Sequence, residues 1–177
     1  MTDSTSPEFS ELKHKVFVLL YETSDLLLKS EDAVYAEFGL SQQQYLVLLA
    51  IESSSDPFVR IIDVAQRLKR NSNSISMIID RMGKSGLVER IRDLPDRRSV
   101  HLVLTDKGKE KLYQASKVGW RLTERLTSSF SVEELETFVR LLEKLREKSF
   151  GELHPGEVIQ DVGKADVETV TRLLKGL

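Results

Sequence analysis

The side chains of this sequence that could do chemistry are amides, hydroxyls and guanidinium groups, not nucleophiles or metal ligands. The three histidines, His14, His101 and His154, stand far apart, with no His pair at i,i+4, no glycine-rich phosphate loop and no nucleophile motif. Acidic pairs such as Glu133-Glu134 suit the start of a helix and give no reason to place a metal there. There is no cysteine, which removes disulfides, zinc–thiolate centres and a thiol peroxide switch. Neither catalysis nor a cofactor is expected. What remains is concentrated between Arg70 and Thr105. Asn71, Ser72, Asn73, Ser74, Ser76 and Met77 come first, followed by Arg81 and Lys84, and then by Asp96, Arg97 and Arg98. Asparagine can pair with two atoms of adenine, serine donates or accepts, and methionine suits a thymine methyl group. Guanidinium and ammonium groups suit phosphates.

Charge points the same way. The formal net charge is −2, with 26 Lys and Arg against 28 Asp and Glu. Between Arg60 and Arg98, however, ten basic residues face five acidic ones, so this segment is +5 and the remainder −7. A basic segment inside an acidic chain is the footprint of a polyanion, with the acidic part limiting indiscriminate binding.

The elements that must hold these residues can be read from periodicity. Ile75, Ile78, Ile79 and Met82 fall at i, i+3, i+4 and i+7, one buried helical face, leaving Ser74, Ser76, Met77, Asp80, Arg81 and Lys84 outside. Asn71 is a candidate N-cap for this helix and Gly86 its left-handed stop; Asn71 and Ser72 serve equally well as caps or as DNA contacts. Gly83 inside it should cost about 1 kcal/mol relative to Ala. A compact helix over Ile62–Leu68 precedes it across a turn at Lys69-Arg70, which makes a helix-turn-helix. After it, residues 87–92 and 99–104 alternate with period two around DLPDRR, a two-stranded wing whose packed face takes Leu87, Ile91, Val100, Leu102 and Leu104.

Around this unit, Phe9 to about Ser30 predicts a helix whose apolar surface is too wide for one stripe and needs cover on more than one side, by the core and by a second subunit. Gly39 stops it or its charged extension. Ser41 and Gln44 form a capping box for a helix to about Glu52, Pro57 ends the loop that follows, and Phe58–Ile61 is a candidate short strand. Thr105 caps a long helix to about Phe130, and Ser131 with Glu134 caps another to about Ser149. GELHPGE is then a linker, and Asp166–Lys175 a last short helix. The fold class is mainly α with a small β-hairpin. The divisions are 1–40 for an N-terminal dimerisation helix, 41–105 for the winged helix-turn-helix, 106–149 for C-terminal dimerisation helices, and 150–177 for a linker and short helix of open role. No run of about 18 apolar residues spans a membrane, and the N-terminus lacks the pattern of a secretory signal, so a cytoplasmic location is expected.

The run VAQRL, SISMIIDRM, KSGLVERIRD, PDRRSVHLVLTDKG, preceded by FGLSQQQYLVLLAI, resembles the MarR family of bacterial winged helix-turn-helix regulators over roughly residues 38–108. The resemblance implies a homodimer whose terminal helices intertwine and whose two lobes straddle a pseudo-palindromic operator in double-stranded DNA, with repression the expected mode. It implies that Arg98, two residues after Asp96, enters the minor groove while Asp96 orients it; a narrow A/T-rich groove concentrates the negative potential that attracts a guanidinium. Arg97, Arg81, Lys84 and Arg70 read as phosphate contacts. Many relatives carry a basic residue where Met77 stands. The family commonly takes small aromatic or lipophilic molecules in a crevice between dimer helices and lobe; Phe17, Tyr21, Tyr45, Tyr113 and Trp120 are the candidates to line one here, each also a candidate for core or interface. The competing reading is a winged-helix protein–protein module without DNA binding, against which the basic wing argues. The tail after residue 150 straps a partner subunit, contacts another protein or stays disordered; the sequence leaves the three open.

Overall fold

The computed structural model describes residues 7–92, 100–159 and 162–175 of the 177. In chain order the elements are α1 (Pro7–Ala36), α2 (Gln42–Glu52), α3 (Ile61–Arg67), α4 (Ser72–Lys84), β1 (Val88–Arg92), β2 (Val100–Leu104), α5 (Asp106–Thr127), α6 (Val132–Leu153) and α7 (Val162–Lys175). The mainly helical fold with one antiparallel hairpin agrees with the sequence reading. α1 and α6 run further than periodicity predicted, and α7 begins four residues earlier.

Local chemistry explains the boundaries. Ser41 and Gln44 form the predicted capping box of α2, and Ser131 and Glu134 that of α6. α1, α3 and α4 all end in the same way, on a left-handed residue whose flanking amides bond back into the last turn. At the end of α4, Leu87 N donates to the Met82 carbonyl at 2.9 Å and Gly86 N to that of Gly83 at 3.0 Å, with Gly86 at φ 69°. At the end of α3 the left-handed residue is Lys69, at φ 50°. A side chain in that conformation costs roughly 1–2 kcal/mol.

The core joins α2, α3, α4 and the hairpin to the first half of α5. Leu48, Val64, Ile75, Ile79, Met82, Leu102 and Leu112 are all essentially buried. The hairpin register pairs Val88 with Leu104, Arg90 with Leu102 and Ile91 with His101. This corrects the expected packed face: Val88 faces inward with Leu102 and Leu104, whereas Ile91 lies on the opposite face beside His101 and is 49% exposed. Leu87 is buried but precedes the strand. Residues 58–61 form no strand; Val59 is still tied to the sheet, because its carbonyl accepts from Leu102 N at 2.7 Å.

Outside this lobe few residues are buried, among them Tyr35 of α1, Leu122 of α5 and Thr169 of α7. α6 has no buried residue among those described, and Phe138, Val139, Leu141 and Leu142 are exposed. On α1, Leu12, Val16, Phe17, Leu19, Leu26 and Leu28 are exposed as well. Two long helices with uncovered apolar faces are the physical mark of an interface.

Candidate nucleic-acid interface

The predicted recognition helix is α4. Its four inward residues, Ile75, Ile78, Ile79 and Met82, are all buried, so the rotation about its axis is fixed by the core. That rotation sets Asn73, Ser74, Met77, Asp80, Arg81 and Lys84 on the exposed face, with Ser72 and Ser76 half-buried at its edge. Asn71 is the N-cap: its Oδ1 accepts from Asn73 N at 2.8 Å. The cap uses that oxygen and leaves the Asn71 amide NH2 outside the capping bond. Met77 is 60% exposed, an apolar side chain that no other described residue covers. Arg81 lies back along the helix, its Nε donating to the Met77 carbonyl at 3.3 Å. Asp80 is paired with Arg90 of β1 at 2.7 Å, which removes the one acidic charge of the outer face as a repulsive element toward phosphate. Arg70, just before the cap, is exposed.

Asp96, Arg97 and Arg98 lie outside the described residues, so the wing assignment stands on the sequence. The hairpin reaches it from Arg92 on one side and Val100 on the other.

The attachment of α4 to the rest of the lobe was not deduced from the sequence. Thr105, the N-cap of α5, donates through Oγ1 to the Gly86 carbonyl at 2.6 Å and accepts from Gly108 N at 3.0 Å. Thr105 N donates to the Leu87 carbonyl at 3.2 Å, and Lys107 Nζ to the Ser85 carbonyl at 2.7 Å. A Cβ at Gly108 would overlap the Leu87 carbonyl oxygen. The start of α5 is thus pressed onto the turn that ends α4. The TDKG run is the signal that carried this contact: Thr caps, Lys reaches the last carbonyls, and Gly permits the approach. At the other end, Arg60 holds Asp63 of α3 through both carboxylate oxygens, at 2.9 and 2.8 Å, and the Arg60 hydrogen bond draws the Asp63 carboxyl below its usual range.

The five aromatic candidates are not brought together. Tyr45 is buried, stacked on Tyr35 with centroids 4.4 Å apart and 3.3 Å from Ser116 Oγ; burial pushes its phenol upward. Phe17 and Tyr21 are exposed on α1. On α5, Tyr113 is half-buried and the exposed Trp120 donates to Glu124 at 2.9 Å. A hollow of about 480 Å³ between α1, the start of α2 and α4 is lined instead by Asp32, Gln43, Arg70 and Arg81. Among the described residues no cluster of His, Asp and Glu suits a metal, and no helix is long and apolar enough to cross a membrane.

Comparison with known proteins gives a consistent result. A profile of the MarR family matches residues 38–99. The HTH-type transcriptional regulator SarZ of Staphylococcus epidermidis is 28% identical over 138 residues, 75% of this chain and 91% of its own. The structure of a mutant MarR from E. coli complexed with operator DNA aligns with TM-score 0.68 and 23% identity, over 79% of this chain and 99% of that one. The organohalide sensing RdhR regulator in its 2,4-dichlorophenol bound form aligns with TM-score 0.75 and 22% identity, over 91% and 96%.

Proposed function

We propose that this chain, whose residues 38–99 match the MarR family of winged helix-turn-helix regulators, is a dimeric, sequence-specific DNA-binding repressor of that kind acting in the cytoplasm. The observation that carries the reading is the outer face of α4. Its rotation is fixed by four buried side chains, its exposed side is polar and basic, and its acidic residue is neutralised by Arg90. A helix of this kind fits the major groove with its N-terminal residues on base edges. Asn73, Ser74, Ser76 and Met77 are assigned to bases, Asn71 and Ser72 to the helix start beside a phosphate, and Arg70, Arg81 and Lys84 to phosphates. Arg98 is assigned to the minor groove with Asp96 orienting it, and Arg97 to the backbone.

Residues 41–105 are the DNA-binding lobe, and 1–40 with 106–149 the dimerisation elements. The uncovered faces of α1 and α6 support the dimer. Two copies of α4 then call for half-sites about one helical turn apart, and a dimer seated on such an operator excludes other proteins from it. A small aromatic or lipophilic effector is assigned to Phe17, Tyr21, Tyr113 and Trp120 at the flanks of α1 and α5, supported by the 2,4-dichlorophenol bound form of the structural neighbour above; Tyr45 is committed to the core.

The test is selection of duplexes by the purified protein from a random-sequence pool. Retained DNA should share a pseudo-palindrome, and Arg98→Ala should lower affinity for it by about 1 kcal/mol or more while flattening the salt dependence. Retention without a shared sequence, or an unchanged Arg98→Ala, would count against the reading.

A further inference from the structure

The C-terminal helix α7 lies beyond every segment to which the site was assigned, yet it is built into the lobe. It packs against α2 and α5, Thr169 is buried, and Val170 and Leu173 join the core. Its polar contacts converge on the helix-turn-helix. Asp166 Oδ1 accepts from Arg67 Nη2, the last residue of α3, at 2.7 Å. The same oxygen lies 3.1 Å from Ser53 Oγ, the C-cap of α2, whose single proton is shared with the Leu49 carbonyl at 2.6 Å. One carboxylate oxygen therefore joins the end of α2 to the end of α3. A second pair, Arg172 with Glu52 at 3.6 Å, repeats the tie to α2. Separately from α7, Lys69 Nζ sits 4.8 Å from the centroid of the Phe150 ring, near the end of α6, so α6 touches the turn between α3 and α4.

Two features separate this arrangement from ordinary surface pairing. The Arg67 and Asp166 side chains are only 18% and 28% exposed, and Arg67 Nε is buried with no hydrogen-bond partner among the described residues. A pair desolvated this far and left one donor short contributes little net stability; what it supplies is geometry. The lever is also short. From Arg67 the chain passes through Leu68, Lys69 and Arg70 to Asn71, the cap of α4, and the turn is held by Lys69 N on the Gln66 carbonyl at 3.1 Å and Arg70 N on that of Ala65 at 2.9 Å. Displacement at the end of α3 is displacement at the start of α4.

We propose that α7 is an intramolecular clamp on the helix-turn-helix, in which Arg67 and Asp166 are positioning residues that hold α3, and through it the start of α4, in register for DNA. The clamp rests on the DNA-binding reading for its consequence, but not for its structural half. The experiment compares the parent, Asp166→Asn, and the charge-reversed pair Arg67→Asp with Asp166→Arg. It measures binding of the duplex that the parent selects from a random-sequence pool, and amide exchange in residues 61–82. Asp166→Asn should bind about five-fold more weakly or worse, the scale of a modest coupling between sites. Its amides in 61–71 should exchange faster while those of the buried turns at 75–82 stay protected, and the reversed pair should recover part of both. Unchanged exchange and unchanged binding in Asp166→Asn would overturn the clamp, as would loss of protection spread evenly over 61–82, which marks a purely structural residue. If the parent selects no DNA at all, the DNA-binding reading fails, and the exchange comparison still decides whether α7 fixes α3.

Discussion

Gly83 and Gly108 both lie inside helices, yet alanine should move stability in opposite directions at the two. At Gly83 the nearest atom to an added Cβ is the Val88 carbonyl oxygen at 3.7 Å, an ordinary contact, and the backbone is not left-handed. Gly83→Ala should therefore recover much of the helix penalty, up to ~1 kcal/mol. At Gly108 the same propensity gain is available, but the Cβ would overlap the Leu87 carbonyl oxygen and come within 3.0 Å of its carbon. That carbonyl cannot retreat cheaply. It accepts from Thr105 N, and Leu87 N is itself bonded to Met82 at the end of α4. Overpacking against immobile backbone costs roughly 1–3 kcal/mol, and losing one of these bonds about 1 more, so the net loss should be ~2–3 kcal/mol after the propensity gain. Urea unfolding at one fixed protein concentration reads both, since a dimer's midpoint depends on concentration. With a slope of about 1–3 kcal/mol per molar urea, the Gly108→Ala midpoint should fall by about 1 M or more, and that of Gly83→Ala should rise by a few tenths. Midpoints moving in the same direction for both variants would refute the reasoning. So would a Gly108→Ala protein of parental stability, since α5 could not then be pressed onto the end of α4.

Other perturbations should behave as follows. Lys69→Gly should stabilise by about 1 kcal/mol in thermal or urea unfolding, because Lys69 occupies a left-handed conformation at φ 50° that glycine adopts freely. Gly119→Ala should destabilise by roughly 1–2 kcal/mol, since its Cβ would come within 2.7 Å of the Tyr35 hydroxyl and Tyr35 is buried against Tyr45. Burial raises the Glu31 carboxyl above its ordinary value against the opposing hydrogen bond of Gln42, with Asp32 adding to the rise. The folded chain then binds more protons than the unfolded one between the ordinary and the raised value, so this group's contribution to stability falls as pH rises through that interval. Glu31→Gln should remove that part of the slope, as followed by unfolding midpoints across pH 4–7. Leu12→Glu with Val16→Glu, two exposed apolar positions of α1, should shift sedimentation from dimer to monomer with little change in helix content.

The sequence by itself determined the lobe. The i, i+3, i+4, i+7 spacing of Ile75, Ile78, Ile79 and Met82 set the rotation of α4, because an apolar stripe on a helix has only one way to face a core. The boxes at Ser41 and Ser131 and the stops at Gly39 and Gly86 were legible because caps and left-handed turns are local chemistry. The exposed face of α4 followed as the complement of the buried one. What only the tertiary structure decided were relations between segments distant in the chain. Period-two alternation could not say which face of the hairpin is buried, and placed Ile91 inward; the pairing of Ile91 with His101 reverses that. The aromatic residues looked alike as candidates, but Tyr45 went to the core while Phe17 and Tyr21 stayed exposed, since burial depends on what packs opposite. Thr105, Lys107 and the Arg67–Asp166 pair act across 19 to 99 positions of sequence. No periodicity encodes such contacts, because they exist only once α5 and α7 have folded back onto the helices that they hold.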